Sequence, residues 1–223
     1  MRLVEHFFQF IAPHDCIACD SEGALLCENC AVTHLKMLVS SCYRCGAVTA
    51  RGQTCQSCRR VTPLSYVWTR TVYNQTAKKL VHSLKFDHAK AAADTIALEL
   101  ATIMPRLQSD IIIVHVPAAT SRVRERGFDQ SALIARSLGK YLGHLHMHAL
   151  RRIGQHRQVG TSGNQRRSQM HESYRVISPV RGARILLVDD VLTTGSTLEA
   201  AANALLHAGA LQVYAATFAK TPR

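Results

Sequence analysis

After residue 58 the 223-residue chain contains no cysteine, and it carries one tryptophan, 6% aromatic residues and 15 acids against 27 lysines and arginines. Each shortage excludes something. Aromatics this sparse argue against a stacking platform that would hold single-stranded nucleic acid tightly by itself. The opening segment MRLVEHFFQFIAP has one basic residue and a short apolar run interrupted by Glu5, His6 and Pro13. That fits neither a secretory signal nor a spanning helix, so the chain is expected to be soluble and cytoplasmic, without membrane insertion. The GxxxxGK[ST] pattern is also missing: the one hydroxyl-rich glycine turn, TTGST, has no lysine. A P-loop nucleoside triphosphatase is thereby excluded, because nothing in that turn reaches β- and γ-phosphates.

What the chain does have begins with its eight cysteines, which form four CxxC pairs: Cys16/Cys19, Cys27/Cys30, Cys42/Cys45 and Cys55/Cys58. Redox dithiols usually come singly, and a disulfide framework belongs to secreted chains. Two thiolates per tight turn and two turns per tetrahedron give two zinc sites of four cysteines each, with no thiol left over. Fully occupied by sulfur, such sites have no open position for water and are structural, holding together a module too small to fold on apolar burial alone. CIACDSEGALLCENC and CYRCGAVTARGQTCQSC each read as one knuckle, loop and knuckle. Sequential pairing follows most simply; a crossed pairing of first with third and second with fourth remains open. Arg44, Arg51, Arg59 and Arg60 decorate the second unit, either to touch nucleic acid or to solubilise it.

The excess positive charge is local. Residues 121–184 hold 13 lysines and arginines against 3 acids, which is ten of the net twelve charges. Most of these are arginines, whose planar fork suits phosphate oxygens, so a polyanionic partner is favoured over a membrane surface or a merely solvated face.

A composition shift near residue 62 divides the chain into a zinc-ribbon module, 1–62, and a main domain, 63–223. The segment RRVTPLSYVWTRTVYNQT, with Pro63 and alternating Tyr66, Trp68 and Val72, predicts an extended connector or edge strand. Asn74 predicts an N-cap, with one helix through AKKLVHSLKF and another through AKAAADTIALELATIM, stopped by Pro105. IIIVHVP is a short β-branched run of the kind buried on both faces, followed by helical RGFDQSALIARSLGKYL. A second apolar run precedes TLEAAANALLHAGA. This alternation is the signature of a doubly wound α/β fold with a mostly parallel sheet, whose ligands sit beyond the carboxyl ends of the strands. Both VPAATSRVRERG and DDVLTTGST fall there. In HLHMH the histidines His144, His146 and His148 alternate, so a polar face on an edge strand is the preferred reading over a metal site, which would lack a nearby acid or cysteine.

The chemistry concentrates in ILLVDDVLTTGST, residues 185–197. The turn Thr193, Thr194, Gly195, Ser196 and Thr197 at a helix start offers amides, hydroxyls and the positive end of the helix dipole to one phosphate. Asp189 and Asp190 would repel that phosphate directly but accept well from vicinal hydroxyls or from waters around Mg²⁺. A ribose carrying a 5-phosphate satisfies both halves.

This stretch resembles the phosphoribosyl pyrophosphate (PRPP) signature of type I phosphoribosyltransferases. With the CxxC pairs before it and RERGFDQSALIARSL and RQVGTSGNQRRSQMHESYRV between, nearly the whole chain is similar to the ComF family of competence proteins. The resemblance implies a phosphoribosyltransferase-type domain behind a double zinc ribbon. It implies Asp189 and Asp190 on the ribose hydroxyls and Thr193, Thr194, Gly195, Ser196 and Thr197 around the 5-phosphate, with Mg²⁺ accompanying PRPP. On the pyrophosphate side it implies the loop at Val116 and Pro117, with Arg124 and Arg126 near it and Gln158, Arg166 and Arg167 in a segment that closes over such sites. The chain departs from the family in carrying Asp129 and Gln169 where Asn is common. The function so implied is a PRPP-binding accessory of DNA uptake that handles single-stranded DNA on the cytoplasmic side, with other uptake proteins as partners. The alternative is a working phosphoribosyltransferase for an unidentified acceptor.

Overall fold

The computed structural model describes residues 14–84, 89–153 and 173–222. Gln158, Arg166, Arg167 and Gln169 lie outside the described residues. Two knuckle units come first, each closed by a short helix, α1 (Glu28–His34) and α2 (Gln56–Arg59). The main domain runs β1 (Val67–Val72), α3 (Gln75–Ser83), α4 (Ala89–Ile103), β2 (Ile111–His115), α5 (Thr120–Arg126), α6 (Gln130–Leu142), β3 (His146–Met147), β4 (Leu150–Arg152), β5 (Tyr174–Val176), β6 (Arg184–Leu192), α7 (Ser196–His207) and β7 (Gln212–Lys220). Five strands form one sheet in the order β1-β7-β6-β2-β3, parallel at every pairing, while β4 and β5 make a separate antiparallel pair.

Side-chain alternation along β6 explains why both faces are covered. Leu186 and Val188 point into one apolar layer with Leu80 of α3, Ile96 of α4 and Ile134 of α6, whereas Ile185 and Leu187 point into the other with Leu198 and Leu205 of α7. A strand buried on both sides needs continuous apolar residues, and ILLV supplies them. Asn74 caps α3 by accepting from the Ala77 amide at 2.9 Å, as its position predicts.

The two knuckle units straddle the β1 edge. Leu25, Leu26, Ala31 and Leu35 of the first join the layer of α3, α4 and α6, while Tyr43 of the second joins the layer of α7. Polar contacts fasten the first unit to the sheet: Arg70 donates to the Leu35 carbonyl at 2.7 Å, Asn74 to that of His34 at 2.6 Å and Lys79 to that of Ile17 at 2.9 Å.

Two elements differ from the sequence reading. The helix predicted over RGFDQSALIARSLGKYL starts only at Gln130, because the preceding TSRVRER forms its own helix, α5, which ends at Gly127 in the left-handed conformation at φ +78°. The strand β7, QVYAATFAK, was not anticipated; it lies between β1 and β6, where Ala215, Ala216 and Ala219 are buried.

Candidate functional site

The cysteines resolve into two sets, Cys16, Cys19, Cys27 and Cys30, and Cys42, Cys45, Cys55 and Cys58, the ligand atoms of each lying within 4.8 Å of one another. Sequential pairing is therefore the arrangement found. Cys19 Sγ stands 3.8 Å from Cys27 Sγ, and Cys45 Sγ 3.6 Å from Cys55 Sγ. A tetrahedron with Zn–S bonds of about 2.3 Å has edges of about 3.8 Å, whereas a disulfide needs about 2.05 Å. Burial opposes ionisation of Cys16, but the amides of Cys27, Ala18 and Cys19 overcome it and bring its thiol down to about 6. Cys42 reaches about 6 in the same way, through the amides of Cys55, Cys45 and Arg44. Cys30 is pushed the other way by hydrogen bonds to Cys19 and Cys27, and Cys58 by its hydrogen bond to Cys55, so within each set one thiol ionises readily and another holds its proton. Gathered at tetrahedral spacing, the four sulfurs of each set are a donor set that could hold zinc, whose binding displaces the remaining protons.

The second centre lies at the carboxyl end of β6, in the middle of the sheet. Asp189 Oδ1 accepts from Ser131 Oγ of α6 at 3.0 Å and from the Asp190 amide at 3.0 Å. Asp190 Oδ1 accepts from the Val191 amide at 2.7 Å. Burial and the neighbouring Asp190 charge push the Asp189 carboxyl well above the usual carboxylate range, and these hydrogen bonds only partly offset that. The turn that follows carries Thr193, Thr194 and Thr197 on the surface, with Thr194 Oγ1 at 2.8 Å from Ser196 Oγ. Gly195 is the N-cap of α7 and supplies no side-chain acceptor; the Ser196 amide leans on Thr194 Oγ1 at 3.4 Å and the Glu199 amide donates to Gly195 O at 2.9 Å, so the start of the helix has the polarity that suits an anion.

Gly195 is required twice over. Its φ is +86°, which L side chains rarely adopt, and a Cβ placed there would meet the Tyr43 ring at 2.8 Å. Gly195→Ala is expected to displace the turn and to cost about 1–2 kcal/mol in backbone strain alone, read as a lowered melting temperature together with weakened anion binding.

The loop at Val116 and Pro117 begins beside the acids: the Val116 amide donates to Val188 O at 3.0 Å, so these residues start one residue across from Asp189. Asp129 finds a definite role here. One carboxylate oxygen caps α6 by accepting from Ala132 N at 3.4 Å, and the other accepts from Ala118 N at 2.8 Å, which fixes the loop. Arg124 and Arg126 both lie on α5, downstream of the loop. Arg124 is exposed, while Arg126 donates to Gln130 Oε1 at 2.6 Å.

Residues 152–223 match the phosphoribosyl transferase domain family. The chain is 33% identical over 201 residues to the DNA utilization protein YhgH of Salmonella typhimurium, an alignment covering 84% of this chain and 87% of that one. The chain belongs to the ComF/YhgH family. Other relatives are the competence protein ComFC of Bacillus subtilis, 24% identical over 82% of this chain and 79% of that protein, and the competence protein F of Haemophilus influenzae, 26% identical over 77% and 81%. Among solved structures, the glutamine PRPP amidotransferase from B. subtilis aligns with 57% of this chain and 26% of its own, at 18% identity and a TM-score of 0.43.

In this ComF-family chain, several contacts had no sequence signal. Ser131 reaches Asp189 from another element, and nothing in SALIARSL marks that serine. Arg44, expected on a nucleic-acid face or in solvent, remains 39% exposed at its side chain while donating to the Val61 carbonyl at 2.7 Å and pairing with Glu199 at 3.5 Å. HLHMH does form an edge strand at β3, but His146 packs inward: its Nε2 lies 3.0 Å from Nδ1 of the fully buried His115, and the His148 ring is 4.8 Å from that of His115. Burial, with the charges of His146 and His148, drives His115 down to about 3, so it is neutral at physiological pH.

Proposed function

We propose that this protein is a PRPP-binding accessory of DNA uptake, with two zinc ions in its cysteine sets, Mg²⁺ accompanying PRPP, and single-stranded DNA as a weakly held, salt-sensitive partner. The observation that carries the ligand is the pairing of Asp189 and Asp190 at the end of a central strand with a hydroxyl-rich turn on the start of α7. The acids suit ribose hydroxyls and hydrated Mg²⁺; the turn suits the 5-phosphate. The DNA-related half is supported by the names of the relatives, DNA utilization and competence proteins, together with the basic stretch at residues 121–184.

A second reading, a working phosphoribosyltransferase, is favoured by one observation: the Val116–Pro117 loop stands next to the acids, where departing pyrophosphate would need it. Purified protein with PRPP and Mg²⁺ separates the two. PRPP binding with pyrophosphate release at background, with or without nucleobases or single-stranded DNA, supports the accessory role. Acceptor-dependent release moves the assignment to an enzyme.

For DNA, affinity should fall steeply with salt, because counterion release supplies most of the binding free energy. Arg151 and Arg152 sit on β4, the strand entering the Arg166 and Arg167 segment. Replacing all four by Gln should flatten the slope of log affinity against log salt by about 3, at roughly 0.7 per phosphate contact on single strands. An unchanged slope, or loss of the DNA complex to stoichiometric PRPP, would assign these arginines to the small ligand instead.

A further inference from the structure

Tyr43 lies between Cys42 and Cys45, so its backbone belongs to a turn whose two ends are ligands of the second cysteine set. Its side chain leaves that turn toward the main domain, where only 2% of the residue is exposed. The ring rests on the phosphate turn: a Cβ at Gly195 would lie 2.8 Å from Cε2 and 3.0 Å from Cδ2. Its hydroxyl donates to Glu199 Oε1 at 2.6 Å. The Thr62 hydroxyl bonds the same phenol and stands 3.3 Å from the same carboxylate oxygen. Gly195 and Glu199 are one helical turn apart, with the Glu199 amide donating to Gly195 O at 2.9 Å. One aromatic residue thus holds the first turn of α7 at both ends.

Such a clamp acts on a segment that needs one. Gly195 has the widest conformational range of any residue type, and the threonines beside it are exposed. Without a fixed neighbour, the turn would sample arrangements in which its amides no longer converge, and a bound phosphate would have to order it.

We propose that Tyr43 is a positioning residue for the phosphate turn, and that the second cysteine set, by fixing the Cys42–Cys45 turn, couples metal occupancy to ligand affinity at α7. The ligand in this statement rests on the PRPP reading; the coupling between knuckle and turn does not.

Hydrogen exchange on the full-length zinc-loaded protein tests the coupling without any ligand. Tyr43→Ala should speed exchange of the amides at 193–199 at least tenfold, leave 111–115 unchanged and retain the zinc of the first set. Tyr43→Phe, which keeps the ring, and Glu199→Gln, which weakens the acceptor, should show smaller increases confined to the same peptide. Cys45→Ser with Cys55→Ser, which disables the second set alone, should reproduce the Tyr43→Ala pattern in 193–199. Titration with Mg²⁺ and PRPP should then show about tenfold weaker binding for Tyr43→Ala. Unchanged exchange at 193–199 in the Tyr43 and Glu199 variants overturns the proposal, as does a uniform increase across the sheet in Tyr43→Ala, which marks general destabilisation; unchanged exchange there in the Cys45/Cys55 variant overturns the coupling to the second set. Equal PRPP affinity in wild type and Tyr43→Ala also overturns it. If wild type fails to bind PRPP while the exchange pattern responds as described, the clamp stands and the PRPP reading fails.

Discussion

Replacing Asp189 and Asp190 together by Asn should weaken PRPP binding on the order of 100-fold or more and, at the same pH, raise the melting temperature. The first effect follows from losing charged acceptors for ribose hydroxyls, each worth about 1.5–3 kcal/mol. The second follows from the sign of the Asp189 shift. Its carboxyl is held above the ordinary range by burial and by the Asp190 charge, so the folded chain favours the protonated acid. A folded pKa raised above the unfolded one contributes stability below the unfolded value and loses it as pH rises through the folded value. At neutral pH, where the unfolded chain has given up that proton, the raised Asp189 carboxyl therefore opposes folding, and Asn relieves it. A gain of about 1 kcal/mol would appear as roughly 2–4 °C in a chain of this size. Mg²⁺ with PRPP should likewise stabilise wild type, by compensating the same two charges. A double mutant that melts lower than wild type across pH 5 to 8 would show that the pair serves the core instead, and unchanged calorimetric affinity would remove the ribose assignment.

Stripping the metal should have the larger structural effect. Zinc binding by four thiolates is worth on the order of 10 kcal/mol in small modules, comparable to the whole stability of a typical domain. Elemental analysis of reduced protein should give close to two zinc ions per chain, and a stoichiometry near zero would overturn the assignment. Chelation should also disturb more than the ribbons. Cys16 and Cys30 lie in the same apolar layer as Trp68, Leu80 and Ile96, so loosening the first unit uncovers one face of the main sheet. Near-ultraviolet dichroism from Trp68, which stacks on Tyr66 at 5.5 Å, should change on chelation; an unaltered signal would mean that the ribbon and the sheet fold independently.

How much could be read in advance differs by element, for physical reasons. The cysteine spacing, the Asn74 cap, the apolar run of β2 and the acid-hydroxyl turn are local patterns, and local patterns survive in sequence. The strand β7 was hidden because Ala215, Ala216 and Ala219 carry little strand preference; it is a strand because both faces are packed, and small side chains fit there. The choice between sequential and crossed cysteine sets required coordinates, since both use the same ligands. The contact of Tyr43 with Gly195 and Glu199, and that of Ser131 with Asp189, join distant parts of the chain, and no window of sequence contains both partners.

The outer margin of β1 carries one more consequence. A parallel sheet that ends in an uncovered strand presents a row of peptide groups to any other chain in the same condition. Here the knuckle units occupy that margin: Gly52 O takes the Val67 amide at 2.9 Å, Gln53 bridges to Tyr66, and the Lys36 carbonyl takes the Thr71 hydroxyl at 3.0 Å. By fixing the knuckle units there, metals held in the two cysteine sets would guard that margin against self-association. In a cell short of zinc, the first symptom should be insoluble protein, appearing before any loss of ligand binding in the molecules that stay in solution.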